Sequence, residues 1–384
     1  MPLAPVDESG TQYYYVDTGA PSNSPNYTTL VLIHGASFQS SIFERLFPFS
    51  AEHNMRLVAV NMRDYRGSTP YSPEDLADLW STDAEKQAKT LRGRGLEMAT
   101  FLLWFIRKEN IPPLLQEKMR GSFSGGGISV LGWSWGCKIA LSCFARAHDL
   151  EPDDRHLLGN HLRGLILFDP SPRVFGARKE TPQELYNPFS DTSMSPEQLM
   201  NFFPGWVSSY YAHSPQALGT LCDQSRADVC AGFARSPIAN PPLQLTPTLT
   251  RMSEGEAART VNSDVILRSH KPQEFFEDKV YADSMRRALC DTSVWPNLRV
   301  VLLWCDMSVS GIVLSTWGIM KEYHETWPNN GRRIDFVRMK GANHFPHWDQ
   351  PERTMQLLAD VLWGGEIPVV VEMGAHTRDV VPRL

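Results

Sequence analysis

The stretch most informative about the fold runs Ile128-Ser129-Val130-Leu131-Gly132-Trp133-Ser134-Trp135-Gly136. Its first residues are a largely apolar run typical of a buried strand, and Lys138–His148 follows as a helix with an apolar face. The two flanking glycines allow a tight strand-to-helix turn whose strained backbone lifts the Ser134 hydroxyl clear of the sheet. The first amides of the helix point toward the same place. We therefore predict that Ser134 is a nucleophile. The alternative is an ordinary turn with a capping serine.

Short apolar segments on either side of this turn predict a sheet. Strands are expected at Tyr13–Val16, Thr29–Ile33, Leu57–Val60, Ile128–Leu131, Leu165–Phe168, Leu298–Trp304 and Ile334–Met339. Consecutive apolar positions suit strands of a parallel sheet that is buried on both faces. Helices are expected at Asp83–Lys108, where two glycines leave a kink open, and at Arg353–Leu362. The order of these elements predicts an α/β fold with a mostly parallel, doubly wound sheet.

The composition changes in the segment between the predicted strand that ends near residue 170 and the next predicted strand, which begins near residue 296. Residues 171–295 are rich in Pro, Trp, Phe, Tyr and Met and show no strand pattern, while Ser195–Phe203 and Ala282–Cys290 are candidate helices. A structureless connection of this length is uncommon in a compact protein. We therefore predict a core formed by residues 1–170 and 296–384, with residues 171–295 inserted as a helical cap or lid.

Composition and charge exclude several classes of protein. The 384 residues include 37 Lys and Arg against 43 Asp and Glu, and the resulting net charge of -6 lacks the basic footprint of a nucleic-acid binder. The longest apolar runs are too short to span a membrane. Six scattered cysteines do not form the pattern of a disulfide framework. The first ten residues lack a basic segment followed by an apolar one, so we expect no secretory signal and a cytoplasmic protein.

Two local patterns superficially resemble cofactor or metal sites but lack the residues that such sites require. Gly125-Gly126-Gly127 is not followed by the Lys-Ser/Thr pair of a phosphate-binding loop. Cys222 and Cys230 have no second pair of Cys or His at zinc-binding spacing. We therefore expect no cofactor and no metal, and a small molecule as the partner. The sequence leaves the oligomeric state open.

A serine hydroxyl needs a base within hydrogen-bond reach to act as a nucleophile. His344 and His347 lie after the last predicted strand and before the last helix. His344 is preferred because it stands at the start of the loop, where its ring can reach over the sheet edge. His34, which follows a buried strand and precedes a glycine, is expected to be a structural hydrogen-bonding residue and not the base.

The loop after the strand Thr29–Ile33 emerges at the same sheet edge as Ser134. The backbone amide of Ala36 in this loop and that of Trp135, the residue after the nucleophile, are therefore the expected oxyanion hole. Trp133 and Trp135 flank the nucleophile, where they either pack the turn or form a wall against a ligand.

Several segments together resemble the α/β-hydrolase superfamily over nearly the whole chain. They are Tyr15-Val16-Asp17-Thr18-Gly19, His34-Gly35, Asp64-Tyr65-Arg66-Gly67-Ser68-Thr69, the turn at Ser134, Phe168-Asp169-Pro170 and Gly341-Ala342-Asn343-His344-Phe345-Pro346. The closest likeness is to members that carry a cap, such as esterases, lipases, epoxide hydrolases, haloalkane dehalogenases and C–C bond hydrolases. Two of these groups use an aspartate as nucleophile. Ser134 at that position argues against epoxide hydrolase and dehalogenase chemistry.

The resemblance implies a triad acid whose position is unusual here. Most relatives carry it in the loop after the seventh strand, where this chain has Ser308 at the expected position and Asp306 two residues earlier. Some relatives take it from the end of the sixth strand, where Asp169 follows Leu165–Phe168. Asp169 is slightly preferred over Asp306. Either carboxylate would hold the tautomer of the imidazole and stabilise its cation.

The expected function is a cofactor-independent serine hydrolase that cleaves an ester or related acyl bond of a hydrophobic small molecule. The alternatives are an acyltransferase or a C–C bond hydrolase with the same triad, and a ligand-binding member without turnover. The candidate cap residues Phe202, Phe203, Trp206, Tyr210 and Tyr211 form either an apolar lid or plain packing of the cap. The residues expected to bind substrate are His34, Trp133, Phe202, Trp206 and Tyr210.

Overall fold

A computed structural model describes residues 2–116 and 123–364. Its strands are β1 (Leu3–Pro5), β2 (Gln12–Asp17), β3 (Thr28–Ile33), β4 (Met55–Val60), β5 (Leu115–Gln116), β6 (Phe123–Gly125), β7 (Ile128–Trp133), β8 (Leu162–Phe168), β9 (Arg299–Cys305) and β10 (Ile334–Met339). Eight of them form one sheet in the order β1-β2-β4-β3-β7-β8-β9-β10, and β5 pairs with β6 in a separate two-stranded sheet. The strands from β4 to β10 in this order run parallel, and only β1 and β2 are antiparallel to their neighbours. The predicted mostly parallel α/β fold is confirmed.

The helices cover both faces of this sheet. They are α1 (Pro73–Leu79), α2 (Ala84–Glu109), α3 (Gly136–Phe144), α4 (Pro152–Gly159), α5 (Pro196–Val207), α6 (Pro215–Gly219), α7 (Arg226–Gly232), α8 (Glu254–Thr260), α9 (Asp278–Leu289), α10 (Ser310–Glu325), α11 (Pro346–Asp349) and α12 (Pro351–Trp363). One group packs α2, α3 and α9 together, and another packs the 3-10 segment Ser40–Phe49 with α11 and α12. Every residue of β3, β4, β7 and β8 is buried, as expected for strands covered on both faces.

The long helix predicted from Asp83 to Lys108 is one continuous helix, α2. The Asp83 side chain accepts a hydrogen bond from the Glu85 amide at its start, and the left-handed Asn110 (φ 49°) ends it. Gly95 lies where a Cβ atom would collide with the Ser142 carbonyl of α3. This glycine therefore serves close packing of two helices and does not break α2.

The segment between β8 and β9 holds helices α5 to α9 and, among its residues, no strand of the described sheets. It is fixed to the loop region after β10. Asn343 Nδ2 donates to the Ser208 carbonyl (2.9 Å), and the Asp349 carboxylate accepts from the Tyr210 and Thr248 hydroxyls (2.8 Å each). The helical insertion therefore contacts the loop that carries the candidate base. Its function as a cap stays a prediction.

No helix in the described part of the chain combines the length and the apolar character that a membrane crossing requires.

Candidate active site

Ser134 lies at the sharp turn between β7 and α3. Its backbone has φ 55°, in the left-handed region that residues with a side chain rarely adopt. The turn is too crowded for side chains at its flanks, since a Cβ atom on Gly132 would lie 2.6 Å from the Gly136 carbonyl oxygen. The Ser134 amide donates to the Phe168 carbonyl (2.9 Å), which joins the turn to the end of β8. The backbone strain predicted from the sequence is therefore present at this serine.

His344 and Asp169 form a buried pair at the same sheet edge. His344 Nδ1 lies 2.5 Å from Asp169 Oδ2, and both side chains are excluded from solvent. The indole nitrogen of Trp133, the residue before Ser134, donates to the His344 carbonyl (2.9 Å). His344 Nε2 is buried and has no hydrogen-bond partner among the described residues. One ring nitrogen is therefore oriented by a carboxylate, and the other has no protein partner within the described part of the chain.

Asp169 is held by two further donors. The Cys305 amide donates to Oδ1 (2.9 Å), and the Ser308 hydroxyl donates to Oδ2 (2.6 Å). Ser308 Oγ is also 3.5 Å from His344 Nδ1. Hydrogen bonds to a carboxylate favour its charged form and compensate for its removal from water. The serine at the usual position of the acid thus contacts a carboxylate that comes from the neighbouring strand.

Asp306, the other candidate acid, faces a different part of the molecule. Its carboxylate pairs with Arg338 (2.9 Å) and accepts a hydrogen bond from the Gly341 amide (2.7 Å). These contacts tie the end of β9 to β10 and to the loop that follows it. The structure brings Asp169, and not Asp306, to the His344 ring.

The two other candidate histidines are buried in structural positions. His347 lies among aromatic rings, 4.5 Å from Trp133 and 5.1 Å from Phe43 between ring centroids, and burial holds its pKa well below the usual value. His34 Nε2 accepts from the Met62 amide (3.1 Å), so Nδ1 carries the proton and donates to the Gly35 carbonyl (2.8 Å). Burial lowers the pKa of His34 to about 4. It is therefore neutral near pH 7, and both of its ring nitrogens are engaged by backbone groups, which leaves neither of them available for the expected contact with substrate.

Ser134 opens into a cavity that Ala36 and Trp135 also line. Trp135 directly precedes α3, so its amide has no acceptor in a preceding helical turn. The apolar wall is formed by Tyr186, Phe189, Phe203, Trp206, Val207, Val309 and Ile312. Polar side chains also line it, namely those of Ser171, Glu180, Asn187 and Glu274. Of the residues expected to bind substrate, Trp206 alone is among these lining residues.

The remaining expected substrate-binding residues lie outside the cavity lining. The Trp133 ring packs 4.9 Å from the His344 ring, between centroids, beneath the site. Phe202 is 40% exposed because it lies on the outer side of α5. Tyr210 is buried, with its hydroxyl on Asp349. The structure therefore does not bring these three residues into the cavity lining: Trp133 packs against His344, Tyr210 is bound to Asp349, and Phe202 is exposed.

A buried ion pair beside Trp135 was not predicted from the sequence. Lys138 Nζ lies 3.5 Å from the centroid of the Trp135 ring and 3.6 Å from Glu274 Oε1. Burial lowers the pKa of Lys138 to about 8, although Glu274 acts in the opposite direction. The only signal in the sequence is a lysine within the apolar run of α3, four residues after Ser134. This pair joins helix α3 to the helical insertion.

Three features together define the class of proteins with a hydrolase-type α/β fold. They are the parallel sheet, the serine on a strained strand-to-helix turn and the buried His–Asp pair. A family model described as the alpha/beta hydrolase family matches residues 30–357, and the chain belongs to this family. A search of curated proteins finds no match.

Solved structures with a similar fold come from several bacteria. An esterase from Exiguobacterium antarcticum is 14% identical, with 92% of this chain and 97% of that chain covered and a TM-score of 0.49. An epoxide hydrolase from an endophytic Streptomyces is 14% identical, with 94% and 95% covered and a TM-score of 0.49. A bromoperoxidase from Bacillus anthracis is 13% identical, with 94% and 99% covered and a TM-score of 0.46. These likenesses concern the fold.

Proposed function

We propose that this protein is a serine hydrolase that cleaves an ester or related acyl bond through Ser134, His344 and Asp169. One observation carries the proposal. His344 is bound through Nδ1 to a buried carboxylate, its Nε2 has no partner in the described structure, and its carbonyl is held by the residue next to Ser134. A ring oriented in this way can act as a base toward a serine on the adjacent turn.

In the proposed reaction the Ser134 hydroxyl attacks the substrate carbonyl carbon while His344 Nε2 accepts the hydroxyl proton. The imidazolium that forms is stabilised by the Asp169 carboxylate, which stays ionised. His344 then gives the proton to the leaving alcohol as the acyl–oxygen bond breaks. In the second half, His344 removes a proton from water, the hydroxide attacks the acyl-enzyme, and Ser134 regains its proton as the acid leaves.

The negative charge on the substrate oxygen requires donors that are fixed before the reaction. We assign this role to the amides of Ala36 and Trp135, because both residues line the cavity into which Ser134 opens. Trp135 also stands at the start of α3, where the helix dipole favours negative charge. Preorganised donors of this kind contribute several kcal/mol to transition-state stabilisation.

The helical insertion is proposed to act as the cap over this site. Residues Phe203 and Trp206 of α5, with Tyr186 and Phe189, supply much of the cavity wall. An apolar, partly aromatic wall favours substrates with an apolar body. The cap therefore selects the acyl group while the core performs the chemistry.

Turnover of a simple chromogenic ester tests the proposal. We expect the wild-type protein to hydrolyse p-nitrophenyl butyrate and Ser134→Ala to lose this activity. Ser171→Ala is a matched control, since Ser171 lines the same cavity and its hydroxyl is buried without a partner among the described residues. Equal losses in the two variants, or activity that survives in folded Ser134→Ala, would contradict the assignment of the nucleophile.

A further inference from the structure

Glu180 is a carboxylate with unusual surroundings in the proposed acyl site. It is only 8% exposed, and it lines the same cavity as Ser134. Asn187 Nδ2 donates to its Oε1 (2.6 Å). No ion pair to Glu180 occurs among the described residues, whose salt bridges involve other carboxylates. A buried carboxylate normally requires a cation or several donors to offset the loss of hydration.

Two buried cations that contact the helical insertion already pair with other carboxylates. Lys138 pairs with Glu274, the second carboxylate of the lining, and Arg173 pairs with Asp278 (2.5 Å). The Lys179 ammonium lies 5.3 Å from the centre of the Phe275 ring. Lys138 and Arg173 are therefore balanced by other carboxylates, and no ion pair among the described residues joins Lys179 or another cation to Glu180.

Aromatic rings line the same cavity as this carboxylate. Tyr186 and Phe203 both lie close to Trp206, with ring centroids 6.3 and 6.0 Å away, and Phe189 lies 5.1 Å from Phe203. All four residues line the cavity with Glu180. The faces of aromatic rings attract cations, and most strongly where water is excluded. A carboxylate beside such a wall is a suitable environment for an ammonium group.

We propose that the acyl group of the substrate carries a protonated amine, whose N–H groups donate to Glu180 and whose charge lies against the aromatic wall. This inference rests on the proposed serine hydrolase function and names the substrate class of that site. The ammonium supplies the donors and the charge that Glu180 lacks, and Asn187 holds the carboxylate in place. Glu180 is thus a specificity-determining residue that acts on binding of the acyl group.

Pairs of ethyl esters that differ only in an ammonium or a methyl group test this proposal. The amine series is ethyl glycinate, ethyl β-alaninate and ethyl 4-aminobutanoate, and the neutral series is ethyl propanoate, butanoate and pentanoate. Ethanol release gives kcat/KM for each ester at pH 7. We expect the wild-type protein to prefer the amine in at least one pair by about tenfold, the size of effect typical of a hydrogen bond to a charged group. A wild-type protein that cleaves the neutral ester faster in all three pairs overturns the proposal without any variant.

The second arm uses Glu180→Gln, which keeps the shape of the side chain and removes its charge. We expect the preferred amine ester to lose about tenfold in kcat/KM, with the neutral partner unchanged or faster. Glu197→Gln, at an exposed position on α5, is the matched control. It should keep the wild-type ratio of kcat/KM between the amine ester and its neutral partner. An unchanged ratio in Glu180→Gln, or equal losses on both esters, overturns the proposal. Failure of the hydrolase function gives a different result, because then neither series is cleaved by the wild-type protein.

Discussion

The ends of β8 and β9 each carry a carboxylate that follows an apolar strand, but the two carboxylates have different partners. Asp169 after β8 is bound by His344, Ser308 and the Cys305 amide. Asp306 after β9 is bound by Arg338 and the Gly341 amide. One carboxylate therefore faces a titratable ring and the other a permanent cation. Similar sequence surroundings thus lead to a candidate catalytic position in one case and to a structural ion pair in the other.

The largest expected effect comes from exchanging these carboxylates for amides. In Asp169→Asn we expect kcat for p-nitrophenyl butyrate to fall by about 10⁴-fold, because the amide no longer stabilises the imidazolium or fixes the reactive tautomer. Asp306→Asn should keep kcat within about threefold and instead lower the free energy of unfolding by about 2 kcal/mol. Steady-state kinetics and urea denaturation of both variants measure the contrast. If Asp306→Asn instead lost kcat while Asp169→Asn kept it, the triad acid would be Asp306.

A third buried carboxylate, Glu274, extends the comparison because its partner is a lysine that can lose its charge. Burial lowers the pKa of Lys138 from 10.5 to about 8. Between these two values the unfolded chain binds more protons than the folded protein, so the contribution of Lys138 to stability increases with pH. It is present above pH 10.5 and is lost as the pH falls through about 8. The full change over this window is about 3 kcal/mol.

Substitution of this lysine should remove that dependence. As the pH rises from 8 to 10.5, we expect the unfolding free energy of the wild type to increase by about 3 kcal/mol relative to that of Lys138→Met. Urea denaturation at several pH values measures it. Lys340→Met, at an exposed position, is the control and should run parallel to the wild type. A Lys138→Met curve that also runs parallel would contradict the buried, weakly basic state of this lysine.

The smallest expected effect concerns Ser308, which joins the two strand ends. Its hydroxyl donates to Asp169, so Ser308→Ala should lower kcat by about tenfold with little change in KM. Loss of this donor leaves Asp169 less firmly held against the His344 ring, so the effect should fall on the chemical step and not on substrate binding. Ser308→Thr should restore most of the activity. A KM that rises together with the fall in kcat, or a Ser308→Thr variant that is no more active than Ser308→Ala, would indicate a general packing defect.

The sequence was sufficient for the elements whose signal is local. The buried strands and the turn at Ser134 follow from apolar runs and glycine positions, and the structure reproduces the strands with no end shifted by more than three residues. The short edge strand β1 and helix α10 were missed. A three-residue strand carries almost no pattern, and α10 is apolar on most sides, which removes the amphipathic period. The sequence favoured Asp169 over Asp306 only slightly, since the choice depends on which strand end faces His344.

The cavity wall was predicted less well because helix rotation decides it. Phe202 and Phe203 are adjacent on α5, about 100° apart around its axis, and either can share a face with Trp206 at helical spacing. The structure turns Phe203 inward and leaves Phe202 exposed. Glu180 gave no signal, because a charged residue in an irregular segment is usually solvated. Such residues are recognised only when the folded chain removes them from water.

The most direct measurement of the central claim is the position of the covalent adduct after reaction with a fluorophosphonate. The labelled protein is digested and the modified peptide is sequenced by mass spectrometry. We predict one adduct on Ser134, which is lost in Asp169→Asn and His344→Ala at short exposure and retained in Asp306→Asn. An adduct on Ser171 or Ser308, or no adduct on a folded protein, would contradict the account.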